Sequence, residues 1–354
     1  MSAHRSLAIL LAAGVSAAAI VSAAAQAPVP LTPPAAPTPA KPAPKAAVKP
    51  APKLAPAKPA TASPAAPAAG GAELDLAYGA YQRGYYLTAF AIATRRATDQ
   101  NDVKAMTLLG ELYANGLGVD QDDRKATDWY RLAAERGDRE AMFALAMFRL
   151  GGRAGQVDRK ESARLLEAAA KLGHSAAAYD LGLLCLEGQL FPQDFARAAE
   201  LFRGSAQAGN PEAQYALATL YKDGRGVPKD INEAARLLGL AAQADNTDAQ
   251  VEYAIALFNG TGVAKDEAAA AALLIKAARK GSPIAQNRLA NILVVGRGLP
   301  ANPTEAVKWH LIARAGGATD LNLEDFVRKQ PAQVRAAAEK AAQPWLEMLK
   351  SPRS

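Results

Sequence analysis

Along residues 213–223 the apolar side chains Ala213, Leu217, Leu220 and Tyr221 recur three and four positions apart, the spacing of one buried helical stripe. Polar residues fill the positions between them, and the stripe stops at Gly224. A glycine suits a helix C-terminus there, because it takes a left-handed backbone without a Cβ penalty. Asp230 follows, placed to accept from the free N–H groups of a second helix. The stretch predicts two helices, A and B, joined by a tight loop, with helix A spanning roughly eleven residues from Ala213.

The arrangement recurs. Blocks of 36 residues begin at Ala105, Ala141, Ala177, Ala213, Ala249 and Ala285, with no insertion. A glycine column runs Gly116, Gly152, Gly188, Gly224, Gly260, Gly296. Two residues on, Gly118, Gly226, Gly262 and Gly298 repeat, while Ala154 and Leu190 depart. The cap column reads Asp122, Asp158, Asp194, Asp230, Asp266 and Asn302, and a bulky column runs from Trp129 through leucines to Trp309. Glycine closes every block except the fourth, where Asp245-Asn246 stands. Asn302-Pro303-Thr304-Glu305 combines a cap, a first-turn proline and a glutamate three beyond the cap, a full helix-start signature. Each unit is a helix pair that buries its apolar face only against its neighbours, so the fold class expected is all-α, a superhelical α-solenoid. Leu74–Thr98 predicts a degenerate helix pair within 72–104. Residues 321–354 predict capping helices, the last broken near Pro344.

The N-terminus reads as a secretory signal over residues 1–25: Arg5, an apolar run from Leu7 to Val21, and small residues fit for cleavage after Ala25 or Ala27. This predicts a periplasmic or secreted protein; retention of the segment as a membrane anchor is the alternative. Residues 26–71 are almost wholly Pro, Ala and Lys, the composition of an extended, disordered spacer. Its lysines suit weak contact with anionic envelope polymers.

Charge supports that division. The chain carries a formal +7, but Arg5 and five lysines precede Glu73, the first acidic residue. Removing those six from 41 basic residues leaves 35 against 34 acids over 73–354, a net of +1. A nearly neutral folded part argues against a nucleic-acid partner, which needs a basic face. One cysteine, Cys185, and three scattered histidines give no disulfide and no metal-ligand spacing, so neither cofactor nor metal is expected. No nucleophile, base and orienting group share a supporting spacing, which predicts a non-enzyme. Arg225 between Gly224 and Gly226, near Lys222 and Lys229, has the look of a phosphate cradle, but no Gly-Lys-Ser/Thr follows and the charges change between blocks. Those variable loop residues are therefore read as positions for specific recognition. Cys185 reads as a small core residue, and His174, after a closing glycine, as a turn or cap residue.

The pattern is strongest in "LGELYANGLGV…D…ATDWYRLAAERG" and resembles the Sel-1-like repeat family, relatives of the tetratricopeptide repeat, over residues 105–317. Blocks two and three carry "GGRAGQVD" and "GQLFPQD" in the loop, which predicts distorted turns there. The resemblance implies an interaction scaffold or regulatory adaptor whose helices A line a concave groove holding a partner protein. Glycan or peptidoglycan binding is an alternative. Some secreted relatives are associated with β-lactam or peptidoglycan chemistry, but those are cysteine-rich. Columns three, four and seven residues apart along helix A give the expected groove strip: Glu111, Asn115, Met147, Asp180, Glu187, Thr219, Asp223, Glu252, Asn259, Arg288 and Asn291.

Overall fold

The computed structural model describes residues 71–190 and 192–350; the expected signal segment and nearly all of the Pro/Ala/Lys spacer lie outside them. Among the described residues there are sixteen helices and no strand. The described residues divide into two units, with the boundary between Ala93 and Thr94. The first contains α1 (Gly71–Gln82) and the opening of α2 (Tyr86–Asp99). Its turn is tight, with Tyr85 N–H donating to Ala80 O at 2.8 Å.

In the second unit, six helix pairs follow in chain order. They are α3 (Val103–Asn115) with α4 (Asp123–Glu135), α5 (Arg139–Leu150) with α6 (Arg159–Lys171), and α7 (Ser175–Glu187) with α8 (Phe195–Gln207). Next come α9 (Pro211–Asp223) with α10 (Ile231–Gln243), α11 (Thr247–Asn259) with α12 (Glu267–Arg279), and α13 (Pro283–Val295) with α14 (Pro303–Ala315). Short α15 (Leu321–Lys329) and long α16 (Ala332–Lys350) close the stack. From α3 to α14 each helix packs on the next in sequence, and α16 packs back onto α14. Each helix A begins two residues before its block-opening alanine, because Asp102, Asp138, His174, Asn210, Asn246 and Ser282 act as its N-caps. His174 fills its expected cap role by accepting from Ala177 N–H through Nδ1 at 3.1 Å, and its Nε2 lies 3.0 Å from Glu140.

The helix-B caps form as expected, all six side chains accepting from backbone N–H groups of the first turn. Only half of the Asn302 capping box is made. Asn302 accepts from Glu305 N–H at 3.1 Å, but Glu305 turns to Lys308 instead of reaching back. The backbone N–H of Asn302 is already satisfied by Leu293 O at 2.9 Å. That bond, from the cap N–H to the carbonyl nine residues earlier, is present in all six blocks. It includes Asp158 to Arg149 and Asp194 to Cys185, so the turns of blocks two and three keep their closing bond despite their divergent sequences. Ala154 holds the left-handed conformation without being a glycine, at φ 59°.

Two further expectations are corrected. The bulky column is only half-buried at Trp129, Leu201 and Leu273. The next column, Tyr130, Leu166, Phe202, Leu238, Leu274 and His310, is buried in every block. Its ring or branch lies over the middle of the paired helix A: a Cβ added at Gly110 or Gly182 would fall 2.5 Å from the Tyr130 or Phe202 ring. Where the helix-B residue is smaller, as in Leu166, Leu238, Leu274 and His310, the matching helix-A residue is alanine: Ala146, Ala218, Ala254 and Ala290. The second correction concerns α16, which runs unbroken through Pro344. The proline forfeits one helical hydrogen bond, while Ala338 and Ala342 are buried and Trp345 packs on Trp309 with ring centroids 5.4 Å apart.

Candidate functional site

The variable residues of the glycine loops read as recognition positions in the sequence. They are used to join repeats. Arg153 pairs with Asp123 and lies over the Phe148 ring at 4.0 Å. Gln189 accepts from Arg159 at 2.8 Å, Arg225 sits over the Phe195 ring at 3.9 Å, and Arg297 pairs with Glu267. In each case the partner Asp123, Arg159, Phe195 or Glu267 opens helix B of the preceding repeat. The second glycine column has the same cause. A Cβ at Gly226, Gly262 or Gly298 would lie within 2.3 Å of backbone atoms at the start of the preceding helix B. The loop that resembles an anion cradle is a joint between repeats.

The Asp245 exception is also structural. It keeps the left-handed turn at φ 72° and receives Lys276 and Lys280, which hold its carboxyl down at about 2. Buried glutamines form a further joint that the sequence pattern did not reveal. The side-chain amides of Gln214, Gln250 and Gln286 donate to Ala206 O, Ala242 O and Ala278 O at 3.1–3.2 Å, tying each helix A to the preceding helix B. Cys185 is a buried core thiol pushed upward by burial. Among the described residues no group of three His, Cys, Asp or Glu side chains is placed to hold a metal ion.

The helix-A strip divides into committed and uncommitted residues. Glu111 accepts from the Tyr130 hydroxyl at 3.0 Å and from Asn115 at 2.9 Å, which fixes helix A to its own helix B. Asn291 donates to Asp320, the cap of α15, at 3.0 Å. Glu187 is met by Arg159 at 3.3 Å, and Glu252 by Lys222 at 3.2 Å. Asp223, Asn259 and Arg288 are exposed, while Met147 and Thr219 are half-buried.

Asp180 is different. The sequence places it on an outward column, but it is only 8% exposed, as Leu108 in the same column is 7% exposed. Burial pushes its carboxyl up to about 7. The spacing misjudged this column because neighbouring helices A lie close enough to cover it. An exposed column was missed instead: Lys104, Glu140, Glu212, Asp248 and Ile284, with half-buried Ala176. Its acids also suit the positive end of a helix, so a local reading assigns them to the helix dipole alone.

Acidic and aromatic side chains gather on this face in the third to fifth repeats. Helices α7, α9 and α11 carry six carboxylates, Asp180, Glu187, Glu212, Asp223, Asp248 and Glu252, and one cation, Lys222. Tyr179 and Tyr215 occupy equivalent positions on α7 and α9. The phenol of Tyr179 is held above its ordinary range by burial first, then by the charges of Asp180, Glu212 and Asp248. That of Tyr215 is raised by burial, Glu252 and Asp248.

An all-helical stack with this loop and cap geometry is a repeat solenoid, a general protein-interaction fold. The Sel1 repeat matches six times in succession, at residues 103–138, 139–174, 175–210, 211–246, 247–282 and 283–317, and the chain belongs to that family. The family is typically a non-catalytic scaffold whose repeats mediate protein–protein interaction. A Sel1 repeat protein from Oxalobacter formigenes is similar in structure, with TM-score 0.60 and 26% identity over 70% of this chain and 99% of its own. A protective antigen of uropathogenic Escherichia coli with the same fold, c5321, gives TM-score 0.53 and 28% identity over 78% of this chain and 68% of its own. No curated protein matches the chain significantly. Among the described residues no helix is long and apolar enough to cross a membrane.

Proposed function

We propose that this protein is a non-enzymatic scaffold or regulatory adaptor of the cell envelope, exported by its N-terminal segment, that holds a partner protein along the helix-A face. One observation carries the reading: caps, loops and the Gly/Ala–aromatic contacts account for the recurring columns, while the helix-A face changes from repeat to repeat. A constant frame with a varied face suits recognition of one extended partner. The apolar N-terminal run and its small-residue end support export, and the Pro/Ala/Lys stretch supports a spacer between the export segment and the solenoid.

Photo-crosslinking amino acids at Thr219, Asp223 and Asn259 in cells should capture one partner, with Arg164 and Glu200 on helices B as controls. Equal capture from both sets, or none from the helix-A set, removes the docking assignment. Fractionation of the same cells tests export: the chain should be released with the periplasm or medium, trimmed after Ala25 or Ala27. Turnover of a chromogenic β-lactam or of cell-wall fragments by the purified protein would replace the scaffold reading with an enzymatic one.

A further inference from the structure

We infer that the helix-A face of the third to fifth repeats holds a lysine- or arginine-bearing extended segment of a partner protein, with one cationic side chain seated at Asp180. This rests on the docking reading above and names the chemistry of its occupant.

Charge supplies the first argument. The six carboxylates of α7, α9 and α11 share those helices with one cation, Lys222, which is committed to Glu252; Arg159 of the preceding helix B meets Glu187, and among the described residues Asp180, Glu212, Asp223 and Asp248 have no ion pair. The helices B of the same region show no such excess: α8 carries Arg197 and Arg203 against Glu200, and α12 carries Lys276 and Arg279 against Glu267. The acidic character belongs to one layer, although residues 73–354 as a whole are nearly neutral. Such a field draws cationic segments to that layer and disfavours anionic ones.

The second argument is independent of the count. Asp180 is more than nine-tenths buried, and among the described residues no hydrogen bond or ion pair engages its carboxylate. A carboxyl so largely withdrawn from water and left without a partner is costly, and a cationic group from a bound segment would satisfy it. The equivalent residues on the flanking helices A are Ala144 and Ala216, neither of which can do so. The column itself belongs to the face, since two and three repeats further on it carries half-buried Glu252 and exposed Arg288.

The third argument is the pair of tyrosines. Tyr179 lies next to Asp180 in sequence, and Tyr215 takes the corresponding place one repeat on. Both rings are half-buried, and no hydrogen bond engages either hydroxyl among the described residues. Aromatic faces beside carboxylates bind the stem and charge of lysine or arginine together. An extended strand crossing successive helices A would meet Asp180, Tyr215 and Glu252 in turn.

The test uses the full chain and a fluorescein-labelled peptide of six Ala-Lys units, with six Ala-Glu units as the opposite-charge probe. Anisotropy at low and at physiological salt should show binding of the lysine peptide only. D180N and E252Q should each weaken it about tenfold, while E200Q on α8 should stay within about twofold of the parent. Equal losses in D180N and E200Q would reduce the effect to diffuse charge and overturn the inference, as would failure of the lysine peptide to bind. Circular dichroism of D180N should match the parent, separating lost contact from lost fold. Crosslinking from Thr219 separates this inference from the docking reading. A captured partner segment carrying Lys or Arg supports both, and one without them overturns only the cationic occupant. Capture of the chain's own lysines before Glu73 overturns the separate partner. No capture at all overturns the docking reading itself.

Discussion

A single atom decides which side chain can face each helix A. Gly182 has no Cβ, and the Phe202 ring occupies that space. In the preceding and following repeats the partners are Ala146 with Leu166 and Ala218 with Leu238, one carbon more on one helix and a smaller group on the other. Gly182→Ala should therefore cost about 2–3 kcal/mol through overpacking, and Phe202→Leu in the same chain should recover most of it. Urea unfolding of the two single variants and the double variant measures the coupling. Asp180 gives a second prediction at this scale. Its carboxyl is raised to about 7 in the folded chain, above the ordinary value near 3.8. The fold therefore holds this proton between those values, and the group's contribution is fully present below about pH 3.8 and lost as pH rises through about 7. Asp180→Asn should change stability little at pH 3.5 and raise it at pH 8 by on the order of 2–4 kcal/mol. Equal effects at the two pH values would show that the carboxyl does not carry the shift.

At the scale of helix and loop, the local signals were legible and the long-range ones were not. Capping aspartates and left-handed glycines act within a few residues, so Asp122 and Gly224 state their roles in the sequence. Arg153 meets Asp123 across 30 positions, and nothing near Arg153 announces that partner. The same limit hid the buried glutamines, whose amides reach the previous helix, and the burial of Asp180, which depends on how closely adjacent helices A approach. Helix periodicity ranks faces within one helix but does not say which side a neighbour covers. Two glycines test the distinction between turn and joint. Gly281 is left-handed with no atom near its missing Cβ, so Gly281→Ala should cost only about 1 kcal/mol of backbone strain. Gly262 is left-handed and sits 2.3 Å from Ile231 O at that point, so Gly262→Ala should cost at least about 2 kcal/mol. Thermal unfolding of the two variants should separate them clearly.

Over the molecule as a whole, stability comes from neighbour contacts within a linear stack, so damage at an end should stay near that end. Trp345→Ala removes the ring that covers Trp309 and should cost about 2–3 kcal/mol. Hydrogen exchange should show the loss concentrated in α14–α16, with α5–α8 retaining their protection. Uniform loss across all helices would mean that the solenoid melts as one cooperative body.

The matched sizes across each helix pair also define where the chain can be cut and rejoined. Helix A and helix B of one repeat are fitted to each other, Gly182 to Phe202 and Ala218 to Leu238, whereas the closing turn between repeats carries no such size match. Whole repeats taken from one closing turn to the next therefore keep their internal size match, and only the pairs that join neighbours, such as Arg225 with Phe195, must be re-made at the new junction. A crossover inside the glycine loop would set Phe202 against Ala218, or Leu238 against Gly182, leaving a clash in one product and a void in the other. New binding faces are then most readily assembled by shuffling complete 36-residue cassettes.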